Sequence, residues 1–466
     1  MRDLAEETGS DLPVRVRLHG APLGILGTLR AARGNLLGVI PDLATRQPMV
    51  TGQTVRRWHM VMHPKALRRV LRDNVENYPK SIVTKRILEP GIRDSLFLAE
   101  GADWRWQRRA AAPVFSHRHL VDLAPVMQEA ARLSAERIAR AAGGVADLYQ
   151  EMVAVTFDII CNVTLAGGGS LERDAVHRAI NSYILTVGRI SILDLLGAPG
   201  WVPRPETMFR RNSASNLHRL ADQVVTERLA KGADKPDLLD LLIQSVDPET
   251  ARRMNPRELR DNLLAFIVAG HETTALALAW SLYLLAFDPA AQERARAEML
   301  EALGDAQMAG TEHLERLPFT RAVIEEAMRL YPPAAFLSRT AAGEDRLCGR
   351  LVGRGDTVML PIYALHRHRM WWEEPDAFRP DRFLAGRPER FTYLPFGDGP
   401  RICIGAGFAM MEAQIVLATL LRRFRFESVG ETPYPRLFLT LRPEGGVKLR
   451  VTDLAPAAPD AARDAA

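Results

Sequence analysis

The chain has 466 residues, of which 47% are hydrophobic and 25% charged, so it is long and apolar enough to fold around a large core. Its 61 Lys and Arg residues nearly balance 56 Asp and Glu residues, and the net charge of +5 excludes nucleic acid as an expected partner. Three cysteines, Cys161, Cys348 and Cys403, are too few for a disulfide framework and indicate a reducing compartment or a ligand thiol.

Residues 1–49 form an N-terminal segment in which no membrane signal is expected. The apolar run at residues 21–29 is short and contains Pro22, unlike a signal peptide or a membrane anchor. The one long apolar segment, residues 263–287, carries His271 and Glu272 in its interior, which favours a buried helix over a membrane span. We therefore expect no transmembrane segment.

Strand-like segments are short and cluster in two places, of which the first is near the N-terminus. They are expected at residues 49–62 and 346–361, with a further hairpin at residues 438–451 that turns at Gly445 and Gly446. They predict a small β region beside a larger helical body.

The sequence pattern predicts helices through most of the middle of the chain, so the predicted fold class is mainly α. The seam at residues 230–255, which surrounds a short apolar stretch at residues 238–243, is expected to be a surface connection. No linker divides the chain, so residues 50–452 are expected to form one domain. Residues 453–466 are expected to be a disordered tail. Apolar residues recur at helical spacing in residues 121–141, 148–165 and 216–229.

One helix is expected to run through the centre of the protein. Asn255 and Pro256 form a strong helix start, and Asp288 and Pro289 a matching stop. The helix between them has about 32 residues and a length of roughly 48 Å. Because it is apolar on most faces, it has to be buried, and residues 269–274 fall at its middle.

Residues 396–405, Phe-Gly-Asp-Gly-Pro-Arg-Ile-Cys-Ile-Gly, present one thiol at the end of a tight loop. A helix is expected to begin at Ala406, so backbone N–H groups and the helix N-terminus favour a thiolate at Cys403. Arg401 offers a cation to an anionic group nearby. On these features alone, a structural cysteine in a glycine-rich turn is the commoner interpretation.

The loop resembles the haem-binding loop of the cytochromes P-450, whose pattern Phe-x-x-Gly-x-Arg-x-Cys-x-Gly is matched at every fixed position. A chance match in a chain of this length is on the order of one in 10⁴. The resemblance implies the cytochrome P-450 fold, with haem b between the central helix and the cysteine loop. It also implies that Cys403 is the thiolate ligand of the iron, that Arg401 binds a haem propionate and that Phe396 lines the haem site.

Residues 269–274, Ala-Gly-His-Glu-Thr-Thr, resemble the oxygen-activation motif of the same family. Ala269, Gly270 and Thr273 share a helix face on which a flat cofactor can lie. We expect the Thr273 hydroxyl to bond the carbonyl of residue 269 and to open a groove for O2 and water. The resemblance implies that Thr273 relays protons and that Glu272 supplies them from the solvent side, with no catalytic role for His271. Without the cysteine loop, helix packing would explain these residues better.

Two more motifs match the family and are expected around the pocket. Glu326 and Arg329 match Glu-x-x-Arg, and Arg382 is expected to complete a structural triad with them. Trp104 and Arg108 project together at i,i+4 spacing. The resemblance implies that both bind haem propionates.

The resemblance also implies that Arg339 is a further propionate ligand. Arg105 and Arg109 lie on another face of their helix, which is either a solvated basic face or a docking site for an acidic electron donor. The run at residues 366–368, His-Arg-His, predicts an exposed basic loop and not a zinc site.

The resemblance implies a haem-thiolate monooxygenase that uses O2 to hydroxylate or epoxidise an apolar small molecule. No flavin or nicotinamide domain fits in the chain, so a ferredoxin-type donor with its reductase is expected to supply electrons to a soluble, cytoplasmic, bacterial-type enzyme. The segment at residues 184–202 is a mobile lid, a membrane-contacting surface or a buried helix pair. The positions expected to face the substrate are mostly apolar and comprise residues 83–102, 184–202, 335–337 and 437–438, with Phe266 and Ala269.

Two other functions are left open by the sequence. A haem peroxygenase or isomerase that uses peroxide would not need Glu272 and Thr273, so their presence argues against it. A haem sensor or redox carrier would not need an open groove beside an apolar pocket.

Overall fold

The computed structural model describes residues 12–21, 23–53, 56–165, 178–180, 182–183, 205–232, 237–306 and 308–454. The predicted segment at residues 184–202 lies outside them. So does most of the predicted tail, although Leu454 is described and its N–H donates to the carbonyl of Arg423 at 2.7 Å.

Helices make up most of the described chain, as the helical spacing predicts, so the mainly α class is confirmed. The predicted helix at residues 148–165 has those bounds in the structure, and the other two predicted helices are longer than expected. The α-helices are α1 (Ile25–Gly34), α2 (Pro64–Arg68), α3 (Ile82–Ile92), α4 (Gly101–Ala111), α5 (His117–Ala139), α6 (Leu148–Leu165), α7 (Pro205–Lys231), α8 (Leu238–Gln244), α9 (Pro256–Phe287), α10 (Pro289–Leu303), α11 (Pro318–Leu330), α12 (Ile362–Leu365), α13 (Asp381–Leu384) and α14 (Ala406–Arg423).

Short strands form small sheets beside the helical body. The strands are β1 (Met49–Gln53), β2 (Arg57–Val61), β3 (Val145–Asp147), β4 (Leu337–Thr340), β5 (Asp345–Leu347), β6 (Arg350–Val352), β7 (Thr357–Leu360), β8 (Phe424–Ser428), β9 (Tyr434–Leu437), β10 (Leu441–Glu444) and β11 (Lys448–Asp453). The largest sheet has the order β1-β2-β7-β4, in which only the β2–β7 pair is parallel. The predicted β region is therefore present at both places.

Helix α9 begins and ends where the sequence predicts. The Asn255 side chain accepts from the N–H groups of Arg257 and Glu258, and the Glu258 carboxylate accepts from the N–H of Asn255, which completes a capping box. Within the described residues, α9 is the one helix long and apolar enough to cross a membrane, but 72% of its most apolar window is buried in the protein. Its neighbours α6, α7, α11 and α14 pack around it.

The N-terminal segment enters the core before residue 50. Val14 and Val16 are buried, and tyrosine side chains bond their backbone. Tyr331 Oη donates to the carbonyl of Val14 at 2.6 Å, and the N–H of Val14 donates to Tyr283 Oη at 3.0 Å. The N–H of Val16 donates to Tyr363 Oη at 3.1 Å. A boundary at residue 50 therefore does not coincide with the edge of the core.

The predicted hairpin at residues 438–451 is wrong. Strand β10 pairs with β9 through a turn at residues 438–440, whereas β11 pairs with β8 and β3 in another sheet. Gly445 and Gly446 carry the chain from one sheet to the next. A Cβ on Gly446 would lie 2.3 Å from Asp147 Oδ2, so the crossing itself requires glycine.

Two segments predicted at the surface are instead buried, one of them only the apolar stretch within the seam at residues 230–255. Residues 238–243 belong to α8, because the Asp237 side chain caps a helix whose Leu238, Leu239 and Leu242 are buried. The run from His366 to His368 is also buried. There the N–H of Leu394 donates to His366 Nε2 at 2.8 Å, and burial lowers the pKa of His366 to about 3.

Candidate active site

The cysteine loop holds one thiol immediately before α14. The N–H of Cys403 donates to the carbonyl of Phe396 at 2.9 Å, which closes the loop. Gly399 has φ +75°, and a Cβ there would lie 2.1 Å from the carbonyl oxygen of Leu71. Glycine is therefore required at this turn.

Cys403 has accessible surface although protein atoms crowd around its sulfur, so the thiol faces a recess. Burial raises the pKa of the thiol, while the N–H of Gly405 and the positive charge of Arg108 oppose that rise. Burial lowers the pKa of Arg108, and the proximity of Cys403 acts in the opposite direction. The two predicted haem residues are thus neighbours, and a thiolate at Cys403 would stabilise the Arg108 cation.

The middle of α9 presents an open face. Ala269 is exposed and Gly270 and Thr273 are half-buried, although most residues of this helix are buried. As expected, Thr273 Oγ1 donates to the carbonyl of Ala269, at 2.7 Å. Thr274 Oγ1 donates to the carbonyl of Gly270 at 3.1 Å, so two consecutive carbonyls each accept a hydroxyl.

Glu272 is turned away from that face into an ion pair. Its carboxylate contacts the guanidinium of Arg442 on β10, a pair in which the arginine is 21% exposed and the glutamate 5%. Tyr149 lies near both charges, and burial raises its pKa to about 12. Local sequence signals do not predict Arg442 as the partner of Glu272, because the contact joins residues 170 positions apart in the chain.

Cations cluster beside the cysteine loop. Arg401 lies over the indole of Trp104 at 4.8 Å and pairs with the carboxylate of Glu100. An antiparallel bridge places Lys80 opposite Arg339, so both side chains leave the same face of the sheet. Arg401 and Arg339 were predicted here, whereas Lys80 and Glu100 were not, because only the long-range bridge brings residues 80 and 339 together.

The cluster has more positive than negative charge. Burial and, to a smaller extent, the positive charge of Arg401 together lower the pKa of Lys80 to about 7 and that of Arg339 to about 10. Glu100 opposes these shifts but is a single carboxylate. Arg339 Nε is buried and has no hydrogen-bond partner among the described residues.

These residues fit a haem group. A buried, unpartnered guanidinium nitrogen and like charges that depress one another's pKa indicate a site for additional carboxylates, which the two propionates of haem supply. A recessed thiol is the donor that a haem-thiolate protein needs. The donor set therefore matches the group that the sequence resemblance implies.

The structure separates Arg105 from Arg109. Arg105 is half-exposed and pairs with Glu76 at 3.0 Å. Arg109 instead forms a bidentate pair with the buried carboxylate of Asp247, at 2.7 and 2.9 Å. The expectation that both arginines are exposed is wrong for Arg109, because Asp247 lies within reach of its helix face.

The predicted triad is present and buried. Glu326 accepts from Arg329 Nε at 2.6 Å and from Arg382 Nε at 3.1 Å. Arg329 also donates to three backbone carbonyls, of His366, Pro375 and Ala377. The triad thus fixes the segment that leads into the cysteine loop.

The fold and these residues define a class of mainly α proteins built to hold an anionic cofactor between a central helix and a cysteine loop. A family model described as cytochrome P450 matches residues 24–451. The chain belongs to the cytochrome P450 family. Its similarity to other members identifies it as a haem-containing P450 monooxygenase.

Similar proteins come from distant organisms. Cyclooctatin synthase of Streptomyces melanosporofaciens is 30% identical over 392 residues, which cover 83% of this chain and 84% of that protein. Cytokinin hydroxylase of Arabidopsis thaliana is 31% identical over 371 residues, covering 77% and 71%. The crystal structure of the cytochrome P450DA heme domain matches with a TM-score of 0.77 at 24% identity, covers 92% of this chain and 93% of that one, and supports the fold.

Proposed function

We propose that this P450 binds haem b through Cys403 and inserts one oxygen atom from O2 into an apolar small molecule, by hydroxylation or epoxidation. The observation that carries the proposal is the meeting of a recessed thiol with a cationic cluster. Cys403 lies near Arg108, and Arg401 lies over the ring of Trp104. Trp104 and Arg108 both belong to the short helix α4. The arrangement offers one ligand to iron and several donors to two carboxylates.

Each predicted haem residue has a distinct task in this proposal. Cys403 would bind the iron, and Arg401, Arg339, Trp104 and Arg108 would bind the propionates. When bound, the haem supplies iron that activates O2, with electron density from the thiolate favouring O–O cleavage. The Phe396 carbonyl fixes the backbone of Cys403, and Ala269 and Gly270 give the opposite wall its flat surface.

Thr273 and Glu272 are proposed to deliver protons. The Thr273 hydroxyl donates its hydrogen to the Ala269 carbonyl, so the hydroxyl oxygen can accept a hydrogen bond from water in the groove. Glu272 is adjacent in the chain and its partner Arg442 is the more exposed member of their pair. We infer that Arg442 orients the Glu272 carboxylate at the solvent side of the pair, and that this carboxylate takes protons from water and passes them towards Thr273.

An apolar substrate is supported by the residues near the expected pocket. Phe266, Phe336 and Leu337 are half-buried, and Phe438 at the turn between β9 and β10 is exposed. Two relatives, a cytokinin hydroxylase and a cyclooctatin synthase, are named for different compounds. We therefore propose a lipophilic small molecule as the substrate class.

A separate ferredoxin-type protein with its reductase is proposed as the electron source, in the cytoplasm. Arg105 remains a candidate contact for an acidic donor because it is half-exposed, whereas Arg109 is committed to Asp247. Exchange of Arg109 would therefore test folding and not docking.

The ligand assignment is tested with the reduced carbon monoxide complex. The wild-type protein, produced with ample iron and haem precursor, should give the red-shifted Soret band of a thiolate-bound haem. Cys403→Ser should lose it, and Cys348→Ser, which removes an exposed thiol elsewhere, should keep it. An unshifted band in the wild type, or a retained band in Cys403→Ser, would refute the assignment.

The oxygen source is tested on the same protein with a panel of lipophilic compounds. NADPH with a ferredoxin and its reductase should yield oxygenated product, and Glu272→Gln should lower that yield. Product formation that needs only hydrogen peroxide and is insensitive to Glu272→Gln would favour the peroxygenase function.

A further inference from the structure

Helix α6 reaches the backbone of the central helix at the oxygen-activation motif. Thr156 on α6 is fully buried, and its Oγ1 lies 2.8 Å from the carbonyl oxygen of His271 on α9. The same hydroxyl lies 2.8 Å from the carbonyl of Met152 in its own helix. One hydroxyl hydrogen is thus shared between an acceptor within α6 and an acceptor across the helix interface.

The two helices are in close contact around this hydrogen bond. The rings of Phe157 and His271 meet edge to face with their centroids 5.8 Å apart. A Cβ on Gly270 would lie 3.3 Å from Ile160 Cδ1, so the glycine allows the helices to approach. The position of residues 270–271 is therefore set by α6 as well as by α9.

Three consecutive carbonyls of α9 accept side-chain hydroxyls. Those of Ala269 and Gly270 accept from Thr273 and Thr274 of the same helix, at 2.7 and 3.1 Å. That of His271 accepts from Thr156. A hydroxyl that bonds a helix carbonyl competes with the backbone N–H four residues later and bends the helix. Of these three bonds, only the one from Thr156 ties the local shape of α9 to another element.

We propose that Thr156 is a positioning residue for oxygen activation. By holding the carbonyl of His271, its hydroxyl fixes the peptide that leads directly into Glu272 and Thr273. It contacts neither the substrate nor the reacting atoms and acts through those two residues. This inference rests on the proposed function, because it assigns Thr156 to the proton-delivery step of that reaction.

A matched control lies two turns further along α6. Thr164 is also fully buried, and its Oγ1 donates to the carbonyl of Ile160 at 2.5 Å, in its own helix. Thr164→Val therefore removes a buried hydroxyl without touching α9. Thr156→Val removes both bonds at nearly constant volume, and Thr156→Ser keeps the hydroxyl.

The experiment uses the haem-loaded full chain without substrate or redox partner. Dithionite-reduced protein, freed of excess dithionite, is mixed with oxygenated buffer, and the rate of its return to the ferric state is followed; each haem loses one electron, which leaves on O2 as superoxide. Thr156→Val should speed this return by about three- to tenfold, the effect of losing one hydrogen bond. Thr156→Ser and Thr164→Val should stay within about twofold of the wild type.

Amide hydrogen exchange gives a readout that does not depend on turnover. Thr156→Val should speed exchange in residues 271–275 selectively, whereas Thr164→Val should not. Equal effects of Thr156→Val and Thr164→Val, or an unchanged rate of reoxidation in Thr156→Val, would overturn the proposal. If Thr156→Val does not fold, the comparison of Thr156→Ala with Thr156→Ser replaces it.

The two proposals fail separately. The thiolate band of the carbon monoxide complex reports the ligand assignment and should be intact in all Thr156 variants. Its absence in the wild type refutes the proposed function, whereas its presence with unchanged reoxidation refutes the role of Thr156 alone.

Discussion

Two buried glutamates in this protein differ in how the free-energy cost of burying a carboxylate is offset. Glu326 lies between Arg329 and Arg382, and both of its oxygens accept hydrogen bonds from these arginines. Glu412 on α14 is equally buried but faces no cation among the described residues, and burial raises its pKa well above the ordinary value, opposed only by the Thr274 hydroxyl. Arginine partners thus offset the burial of Glu326, whereas burial of Glu412 favours its protonated form.

The neutral state of Glu412 gives stability a defined pH dependence. Because its folded pKa lies above the ordinary 4.5, the folded protein keeps a proton that the unfolded chain releases. Its contribution is fully present below about pH 4.5 and is lost as the pH rises towards the folded pKa. Glu412→Gln should therefore flatten the fall in melting temperature between about pH 5 and pH 8.

The control for this prediction is Glu427→Gln, at an exposed position, which should leave the pH profile as in the wild type. Glu326→Gln should instead lower the stability at every pH in this range, by about 3–5 kcal/mol, because it leaves two buried arginines short of a partner. Equal losses in Glu412→Gln and Glu326→Gln would show that Glu412 is ionised.

At the scale of elements, the sequence predicts best where local signals suffice. The Asn255 cap and the Asp288 stop define both ends of α9, and the glycine pattern locates the loop before Cys403. It fails where the answer depends on distant strands. Nothing local to Lys80 shows that it will lie opposite Arg339, since the bridge forms only when the two segments pair.

The same limit explains the misplaced hairpin and the missed partner of Glu272. Gly445 and Gly446 read as a hairpin turn, but their role in joining two sheets depends on Asp147, about 300 residues earlier. The predicted hairpin put the strand of Arg442 in the wrong pair. The position of Arg442 follows only from the pairing of β10 with β9. Residue type predicted the chemistry, and strand pairing decided which residues share it.

The N-terminal segment yields a prediction for one element of the fold. Tyr331 Oη donates to the Val14 carbonyl, and its ring stacks on Trp280 with centroids 4.0 Å apart. Tyr331→Phe keeps the stacking but removes the bond, so the free energy of unfolding should fall by about 1–3 kcal/mol. Proteolysis within residues 12–18 should also become faster.

The measurements are thermal unfolding of the haem-loaded protein and mass spectrometry of its early cleavage products. Tyr434→Phe removes a half-buried hydroxyl that accepts a hydrogen bond of 3.4 Å from Asn35. It should lower the free energy of unfolding by less than half as much as Tyr331→Phe. Unchanged cleavage of residues 12–18 in Tyr331→Phe would mean that Val14 and Val16 are held by packing alone.

At the scale of the whole molecule, the cationic cluster links cofactor binding to stability. Lys80, Arg339 and Arg401 belong to three separate segments that meet only in the folded chain. Without the haem carboxylates, their mutual repulsion and burial oppose folding, as the lowered pKa of Lys80 shows. With the carboxylates present, the same charges become attractive, so one substitution should act with opposite signs on the two forms.

Lys80→Met tests this reversal. In the haem-free protein it should raise the melting temperature at neutral pH. It should also abolish a rise in stability between about pH 7 and pH 10.5, because there the unfolded chain binds a proton that the folded one does not. In the haem-loaded protein it should speed the transfer of haem to apomyoglobin by about tenfold, the effect of roughly 1.4 kcal/mol. Lys85→Met, at a more exposed lysine 3.5 Å from Glu100, should change either form little. A lower melting temperature of both forms in Lys80→Met would mean that its aliphatic stem, and not its charge, matters at this edge of the site.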